Sequence, residues 1–280
     1  MRGLSPGQGR GNMCLMEIGG GEVKGRSALT RLGQGFGRLG LALLDQLYPP
    51  VCVSCGQPLV KADSLCAACF ADLRQIKAPF CPVLGLPFDS DPGPDSLSAE
   101  AIADPPPFAR ARAAGAYGNV AGTIVSRLKY GDHPELARFC AQLMLGAGAE
   151  FWGARPVLVP IPLHRQRLRF RRYNQSMILA QELARLTGLE VAPHFVRRHR
   201  KTRQQVGLSG DGRQRNVQGA FSAHPLLLEK LKGRRVVLID DVYTTGATVK
   251  AATRALKRGG AEHVDVLSFA RVVIAGELTI

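Results

Sequence analysis

The chain of 280 residues is 45% apolar and 21% charged, which is the composition of a folded globular protein. Its 37 Lys and Arg residues outnumber its 22 acidic residues, giving a formal net charge of +15. No apolar run reaches the roughly 18 residues of a transmembrane helix and no internal repeat is evident, so a membrane span and a repeat array are excluded. We expect a cytoplasmic protein of one large or two modest domains.

The first 50 residues divide into a glycine-rich stretch and a helical one. Residues 1–26 contain eight glycines and no apolar periodicity, which predicts a disordered tail. Within residues 27–50, Leu32, Phe36 and Leu39 recur at helical spacing, and two prolines close the segment. A helix is therefore predicted over 27–50.

Four of the seven cysteines form two closely spaced pairs, Cys52-x2-Cys55 and Cys66-x2-Cys69. A two-residue spacer lets both sulfurs of a pair reach one metal ion, and two such pairs complete a tetrahedral shell. We predict a structural Zn²⁺ site with four thiolate ligands in a module over residues 51–81. A redox-active pair is the alternative, but the tandem copy and the absence of a thioredoxin-like context argue against it.

A proline-rich, acidic stretch separates this module from the rest of the chain. Residues 82–107 hold seven of the 18 prolines, and residues 78–109 contain five acidic residues and no Lys or Arg. This composition predicts a linker over 82–109, or a loosely packed extension of the zinc module.

From residue 110 to 275, segments with strand-like and helical spacing alternate. A continuously apolar run indicates a strand buried on both faces, and the alternation predicts a parallel α/β sheet covered by helices on both sides. The predicted helices are 121–128, 134–151, 174–186 and 245–258, and the predicted strands are 156–163, 190–196, 235–239 and 262–273.

The segment 236–248 (VVLIDDVYTTGAT) carries the most chemistry. A buried strand delivers Asp240 and Asp241 at its carboxyl end, where open α/β sheets bind ligands. A hydroxyl-rich loop then leads into a helix whose first N–H groups favour a phosphate, and its glycine permits close backbone approach. A phosphorylated sugar suits this arrangement, whereas the motifs of Walker A and dinucleotide sites are absent. The loop residues are Thr244, Thr245, Gly246, Ala247 and Thr248.

Positive charge is concentrated in one region. Residues 163–215 contain thirteen Lys and Arg residues against three acidic ones, two thirds of the net charge in about a fifth of the chain. This concentration favours a polyanionic partner, either the phosphates of a small molecule or a nucleic-acid backbone. The arginines at 165, 167, 169, 171 and 172 indicate anion binding; a solvated strand edge or loop is the alternative.

Two levels of resemblance follow from these motifs. The segment 236–248 resembles the phosphoribosyl pyrophosphate signature of type I phosphoribosyltransferases. Residues 43–273 resemble the ComF family of competence-associated proteins, in which a small N-terminal zinc-ribbon-like module precedes a type I phosphoribosyltransferase-like parallel sheet with helices on both faces. This domain corresponds to 110–275. The other matching motifs are Leu128-Lys-Tyr-Gly-Asp132, Pro160-Ile-Pro-Leu163, Tyr173-Asn174-Gln175, and residues 202–209 and 213–221.

The resemblance implies roles for individual residues. Asp240 and Asp241, the catalytic candidates, would hold the ribose hydroxyls, and the loop from Thr244 to Thr248 would bind the 5′-phosphate. The turn at 159–162 stands where related enzymes bind pyrophosphate, and Mg²⁺ would arrive on the diphosphate. The segment 198–216 resembles a flexible catalytic loop that closes over the substrate, with Gln205, Arg213 and Asn216 as its substrate-binding residues.

One departure from the family concerns the metal. After the first four cysteines the family usually has a further CxxCG knuckle, but here the sequence reads Cys81-Pro-Val-Leu84-Gly85. The role of Cys81 in metal binding is therefore left open.

Two classes of function are predicted. The first is a phosphoribosyltransferase, a kind of glycosyltransferase, that uses a phosphoribosyl pyrophosphate-like donor and an unassigned acceptor. The second is a non-catalytic module whose phosphate pocket binds single-stranded DNA and whose zinc module contacts proteins of the competence machinery. For either class, the resemblance to the ComF family implies a role in DNA uptake during natural competence. The low aromatic content, 6%, weakens a stacking platform for bases. A regulator that binds the donor without turnover is a third option.

Overall fold

A parallel β-sheet organises the described part of the chain, which in this computed structural model comprises residues 49–93, 95–131, 133–199, 219–223 and 233–273. The predicted tail and nearly all of the predicted helix over 27–50 lie outside these residues. The described strands are β1 (Ala111–Ala116), β2 (Val157–Pro160), β3 (Val196–Arg198), β4 (Phe221–Ala223), β5 (Arg235–Tyr243) and β6 (His263–Arg271). Four strands form one sheet in the order β1-β6-β5-β2 with all neighbours parallel, and β3 pairs antiparallel with β4.

Helices cover both faces of this sheet. The described helices are α1 (Ala67–Asp72), α2 (Ala99–Ala103), α3 (Asn119–Tyr130), α4 (Leu136–Ala147), α5 (Ala149–Trp152), α6 (Arg165–Arg171), α7 (Gln175–Thr187) and α8 (Ala247–Arg258). On one face, Ile239 and Phe269 pack in an apolar cluster with residues of α3, α4 and α7. On the other face, Val236 and Leu238 pack with residues of α8. Because side chains alternate along β5, both clusters draw on this one strand, and the predicted two-sided sheet is confirmed.

Strand β1 was missed by the sequence patterns. Its residues, ARAAGA, have low β propensity and show no clear alternation. The strand forms because tertiary packing overrides propensity: all its backbone partners on β6 are in parallel register, from Ala111 opposite Val266 to Ala116 opposite Arg271.

Other predicted elements differ in extent or type. The predicted helix over 134–151 is divided at Gly148 into α4 and α5. The predicted strand over 190–196 makes one isolated bridge, from Val191 to Leu158 of β2, and β3 begins only at Val196. The alternative of a strand edge or loop for the arginines from 165 onward does not hold, since residues 165–171 form helix α6, capped by His164; anion binding by these arginines stays a prediction.

The prediction that the chain holds no internal repeat is also wrong. Residues 50–73, the first module, fold as a tight knuckle closed by a bridge between Val51 and Pro58, followed by α1. Residues 79–103, the second module, fold in the same way, with a bridge between Phe80 and Pro87 followed by α2.

Both modules lie along the outer edge of β1. In the segment that directly follows the first module, Arg74 accepts the backbone hydrogen bond of Ala116 at 2.7 Å and Ile76 donates to Ala114 at 3.2 Å. From the second module, Val83 accepts the hydrogen bond of Ala111 at 2.7 Å. Backbone groups that would otherwise form an open strand edge are thereby paired.

Part of the segment expected to be a linker packs against the sheet. Leu84, Leu86 and Phe108 are buried and belong to the same apolar cluster as Val157 and Val266. The domain boundaries at 81/82 and 109/110 themselves stay a prediction. Among the described residues, no helix has both the length and the apolar character needed to cross a membrane.

Candidate functional site

A cleft of about 600 Å³ opens at the carboxyl end of β5. Its floor is the acidic pair Asp240 and Asp241, and one wall is the loop that leads into α8. Strand β5 is long enough to carry both carboxylates to the edge of the sheet, which is where parallel sheets of this kind bind ligands. The cleft is also lined by Tyr117, Lys129, Tyr130, Ile161, Leu163, Arg171 and Arg198.

Asp240 is held by buried hydrogen bonds. Its Oδ1 accepts from Oγ of Ser176 at 3.1 Å and from the backbone N–H of Asp241 at 3.0 Å, and the residue is 8% exposed. Burial and the adjacent Asp241 carboxylate raise the pKa of Asp240 from 3.8 to about 8, although Lys129 opposes the shift. Burial therefore disfavours the ionised form of Asp240 relative to an exposed carboxyl group.

Asp241 forms an ion pair with Lys129, the residue before the end of α3. Nζ of Lys129 lies 2.5 Å from Oδ2 of Asp241, and both side chains are largely shielded from solvent. Lys129 offsets the charge of Asp241, and burial disfavours a second charge on Asp240, so the floor of the cleft carries less negative charge than two exposed carboxylates would. An anionic ligand can thus approach the pair without strong repulsion.

The loop after β5 leaves the start of α8 open to the cleft. Gly246 occupies the N-cap position with φ of +69°, and no side chain caps the helix. A Cβ at this position would lie 2.2 Å from Oη of Tyr243, so both the backbone conformation and the close contact require glycine. The first N–H groups of this twelve-residue helix face the same cleft as the acidic pair.

Residues 173–176 tie three elements together beneath the cleft. Oη of Tyr173 donates to the carbonyl of Leu128 at 2.8 Å, and Nε2 of Gln175 donates to the same carbonyl at 3.3 Å. Nδ2 of Asn174 donates to the carbonyl of Ile161 at 3.0 Å, while its Oδ1 caps α7. These hydrogen bonds hold Leu128, the neighbour of Lys129, and the turn after β2 in place. Residues 173–176 therefore position other parts of the site.

The rim of the cleft carries aromatic and basic side chains. Tyr117 and Tyr130 are 46% and 64% exposed. The guanidinium of Arg171 lies 5.2 Å from the ring centroid of Tyr130 and donates to its hydroxyl at 3.4 Å. Arg198, at the end of β3, lines the cleft as well. The rim thus offers flat apolar surfaces beside positive charge.

The predicted site residues are brought together only in part. Asp240, Asp241, Thr244, Gly246, Ala247 and Thr248 all line the cleft, and Ile161 and Leu163 place the predicted pyrophosphate turn beside them. Thr245 does not line it; its Oγ1 is buried and has no hydrogen-bond partner among the described residues. Gln205, Arg213 and Asn216 lie outside the described residues.

Two residues that organise the acidic pair are not among the predicted site residues. Ser176 directly follows the Tyr-Asn-Gln motif, but its 64-residue separation from Asp240 gives no local signal. Lys129 lies in the motif that begins at Leu128, where a cation near a helix C-terminus has an ordinary structural explanation.

A candidate metal centre lies in the first module. The Sγ atoms of Cys52, Cys55, Cys66 and Cys69 are all within 4.8 Å of one another, and those of Cys55 and Cys66 are 3.7 Å apart. A tetrahedral Zn²⁺ with bonds of about 2.3 Å to sulfur requires sulfur–sulfur separations of about 3.8 Å, so the donor set fits zinc. The cluster supports the predicted structural zinc site.

Hydrogen bonds favour the thiolate form of one ligand. Burial raises the pKa of the Cys52 thiol, but backbone N–H groups of Cys55, Cys66 and Ser54 donate to its sulfur and lower the pKa to about 6. A metal ion binds the thiolate rather than the thiol, so this cysteine is preorganised as a ligand.

Comparison with known proteins gives two family matches. Residues 43–102 match the double zinc ribbon domain, and residues 173–274 match the phosphoribosyl transferase domain. The first covers both modules, and the second covers the elements from α7 to β6, including the acidic pair.

Individual relatives cover most of the chain. The DNA utilization protein YhgH of Salmonella typhi is 32% identical over 234 residues, which span 80% of this chain and 98% of that protein. Competence protein F of Haemophilus influenzae is 28% identical over 79% of this chain and 96% of its own length. Competence protein ComFC of Bacillus subtilis is 26% identical over 76% of this chain and 87% of its own length.

Proposed function

The chain belongs to the ComF family of competence and DNA-utilization proteins, and from this premise we propose that its cleft binds a phosphoribosyl pyrophosphate-type donor. The observation that carries the proposal is the meeting of Asp240 and Asp241 with the uncapped start of α8 on one cleft. Carboxyl groups accept hydrogen bonds from ribose hydroxyls, and a helix start binds a phosphate. The two features together match a phosphorylated ribose.

Positive side chains support the diphosphate end of such a ligand. Arg171, Arg198 and Lys129 line the cleft from three different elements. Arginine is suited to bind phosphate oxygens through two parallel N–H groups. The backbone turn after β2, at Ile161, contributes a further wall where the diphosphate would lie.

Magnesium fits this cleft only as a companion of the ligand. Among the described residues, two acidic side chains line the cleft: Asp241, which is paired with Lys129, and Asp240, which is hydrogen-bonded. Mg²⁺ keeps several waters and commonly relies on substrate phosphates, so it needs few protein ligands. When bound with the diphosphate, it would neutralise charge on the leaving group; Asp241 is the residue that would interact with its water shell.

Binding of single-stranded DNA through the same phosphate pocket is the second candidate. The exposed rings of Tyr117 and Tyr130 on the rim and the net charge of +15 favour it. The printed names of the relatives, which refer to DNA utilization and competence, point in the same direction. In this role the zinc module would contact proteins of the competence machinery.

Calorimetric titration separates the two candidates. Phosphoribosyl pyrophosphate with Mg²⁺ is titrated into the wild-type chain and the Asp240→Asn/Asp241→Asn variant. We expect saturable binding to the wild type and at least a tenfold loss in the variant, because Asn retains shape but removes the carboxylates. The matched control is Asp72→Asn/Glu262→Gln, which replaces two exposed carboxyl groups with amides away from the cleft.

A single-stranded oligothymidylate is titrated in parallel at two salt concentrations. Salt-sensitive DNA binding without donor binding would support the second candidate. No donor binding to a folded wild-type chain would overturn the first.

A further inference from the structure

The two modules share one backbone around their knuckles. In the first module, Gly56 donates to the carbonyl of Cys52 at 3.0 Å, and in the second Gly85 donates to that of Cys81 at 2.8 Å. Both glycines have positive φ, +79° and +65°. The N–H of Cys52 bonds the carbonyl of Gln57, and that of Cys81 bonds the carbonyl of Leu86, each at 2.7 Å. Cys81 thus occupies the position of Cys52.

The helical halves of the modules match as well. The sequence Asp63-Ser-Leu-Cys66 of the first becomes Asp95-Ser-Leu-Ser98 in the second, and both aspartates have positive φ. Cys66 caps α1 by accepting the N–H of Cys69 at 3.4 Å, and Ser98 caps α2 by accepting the N–H of Ala101 at 3.4 Å.

One further contact fixes the register between knuckle and helix. The N–H of Cys66 donates to Sγ of Cys52 at 3.3 Å, and the N–H of Ser98 donates to Sγ of Cys81 at 3.4 Å. The four zinc ligands of the first module therefore correspond to four residues of the second. These are Cys81 for Cys52, Leu84 for Cys55, Ser98 for Cys66 and Ala101 for Cys69.

This second set cannot hold a metal ion. Leu84 and Ala101 have no donor atom, and the hydroxyl of Ser98 already accepts a backbone hydrogen bond. Cys81 and Leu84 are fully buried and Ala101 is 4% exposed, so side chains fill the centre that zinc fills in a metal-bound ribbon. We propose that the second module is a zinc ribbon whose metal has been replaced by apolar packing and hydrogen bonds, so that the chain binds one zinc ion.

Arg271, at the end of β6, provides the cross-link that the metal would otherwise supply. Its Nη1 donates to the carbonyl of Leu84 at 2.7 Å, and its Nη2 donates to Oε2 of Glu100 at 3.1 Å. The first contact is on the knuckle and the second is on α2, the two parts that a zinc ion joins in the first module. The guanidinium is 1% exposed, so water competes little for these bonds.

Metal analysis of the purified full chain tests the stoichiometry. We expect one zinc per chain in the wild type, one in Cys81→Ala, and none in Cys52→Ser/Cys66→Ser. Two zinc ions in the wild type, or loss of zinc in a folded Cys81→Ala variant, would overturn the proposal. The wild-type and Cys81→Ala counts decide the matter even if the double variant does not fold.

Restoring the ligands tests the residue correspondence. The Leu84→Cys/Ser98→Cys/Ala101→Cys variant is expected to bind two zinc ions, and to double the thiolate–cobalt absorption when loaded with Co²⁺. The Leu84→Ser/Ala101→Ser variant, which makes the same positions polar without adding thiols, should stay at one. A folded triple variant that still binds one metal ion would refute the correspondence.

Discussion

Nζ of Lys129 and Oδ2 of Asp241 lie 2.5 Å apart, joining the last turn of α3 to the end of β5. Their side chains are only 21% and 13% exposed, so this contact differs from the exposed ion pairs that add little to stability.

Removing the lysine should leave Asp241 without its counter-charge. For Lys129→Met we expect a loss of about 2 kcal/mol in the free energy of unfolding, because one partner of a largely buried pair remains. The double variant Lys129→Met/Asp241→Asn should recover at least about 1 kcal/mol of this loss. Urea unfolding measures both, with Lys257→Met as the exposed control; additive effects would show that the pair is not coupled.

The raised pKa of Asp240 predicts a pH dependence of stability. Between its ordinary value of 3.8 and about 8, the folded state retains a proton that the unfolded state releases. Stability from this group is therefore present at low pH, falls as pH rises, and stops falling above about 8. The slope is at most about 1.4 kcal/mol per pH unit.

Asp240→Asn lacks this loss because the amide does not ionise. We expect its stability relative to wild type to rise from pH 6 to pH 8 and to level off above that. Denaturant unfolding at several pH values measures the difference in the free energy of unfolding between the variant and the wild type. Effects of pH on zinc ligation are common to both chains and cancel in this difference. A difference that does not change with pH would contradict the prediction.

Gly246 should tolerate no side chain. Gly246→Ala places a methyl group against Tyr243 in a backbone conformation that L-residues avoid, so the loop before α8 must move. We expect at least a tenfold loss of donor affinity, together with a stability loss above the roughly 1–2 kcal/mol that positive φ alone costs. Gly188→Ala is the control: its φ is +67°, but its Cβ would meet nothing within 4 Å. Equal effects of the two substitutions would rule out the contact with Tyr243.

Replacement of Arg271 by lysine should destabilise the protein. The guanidinium donates to two acceptors and lies 4.2 Å from the ring centroid of Tyr243, which a single ammonium group cannot reproduce. We expect Arg271→Lys to lower the free energy of unfolding by about 2–3 kcal/mol, since buried acceptors lose their donor. Thermal and urea unfolding beside the exposed Arg254→Lys would detect this; a change below about 0.5 kcal/mol would disprove it.

The sequence predicts which residues lie together at the end of β5 because they are consecutive. Asp240, Asp241 and most of the loop to Thr248 follow one buried strand and line the same cleft, whereas Thr245 does not. Ser176 and Lys129 come from other elements and meet the acids only through tertiary packing, which no local pattern specifies. The residues on the rim of the cleft, such as Tyr117, are likewise brought there only by tertiary packing.

The sheet and the second module show the same contrast between features that the local sequence specifies and features that depend on tertiary packing. Strands β5 and β6 are apolar enough to be recognised, whereas β1 is made of small residues that become a strand only when paired with β6. The repeat was missed because cysteines are its usual signal, and three of the four corresponding positions hold Leu84, Ser98 and Ala101. The signals that survive are Asp-Ser-Leu at 63–65 and 95–97 and Cys-x3-Gly-x-Pro at 52–58 and 81–87.

The covering of β1 by both modules has a consequence for the behaviour of the protein when zinc is scarce. Chains made without the metal would keep the contact from Val83, which depends on no ion, but would loosen the backbone pairing at Arg74 and Ile76. Half of an outer strand would then be open to another chain, and association through it grows with concentration. The availability of zinc would thus affect the solubility of the protein. Chains without the metal would aggregate through the open strand even though their sheets remain folded.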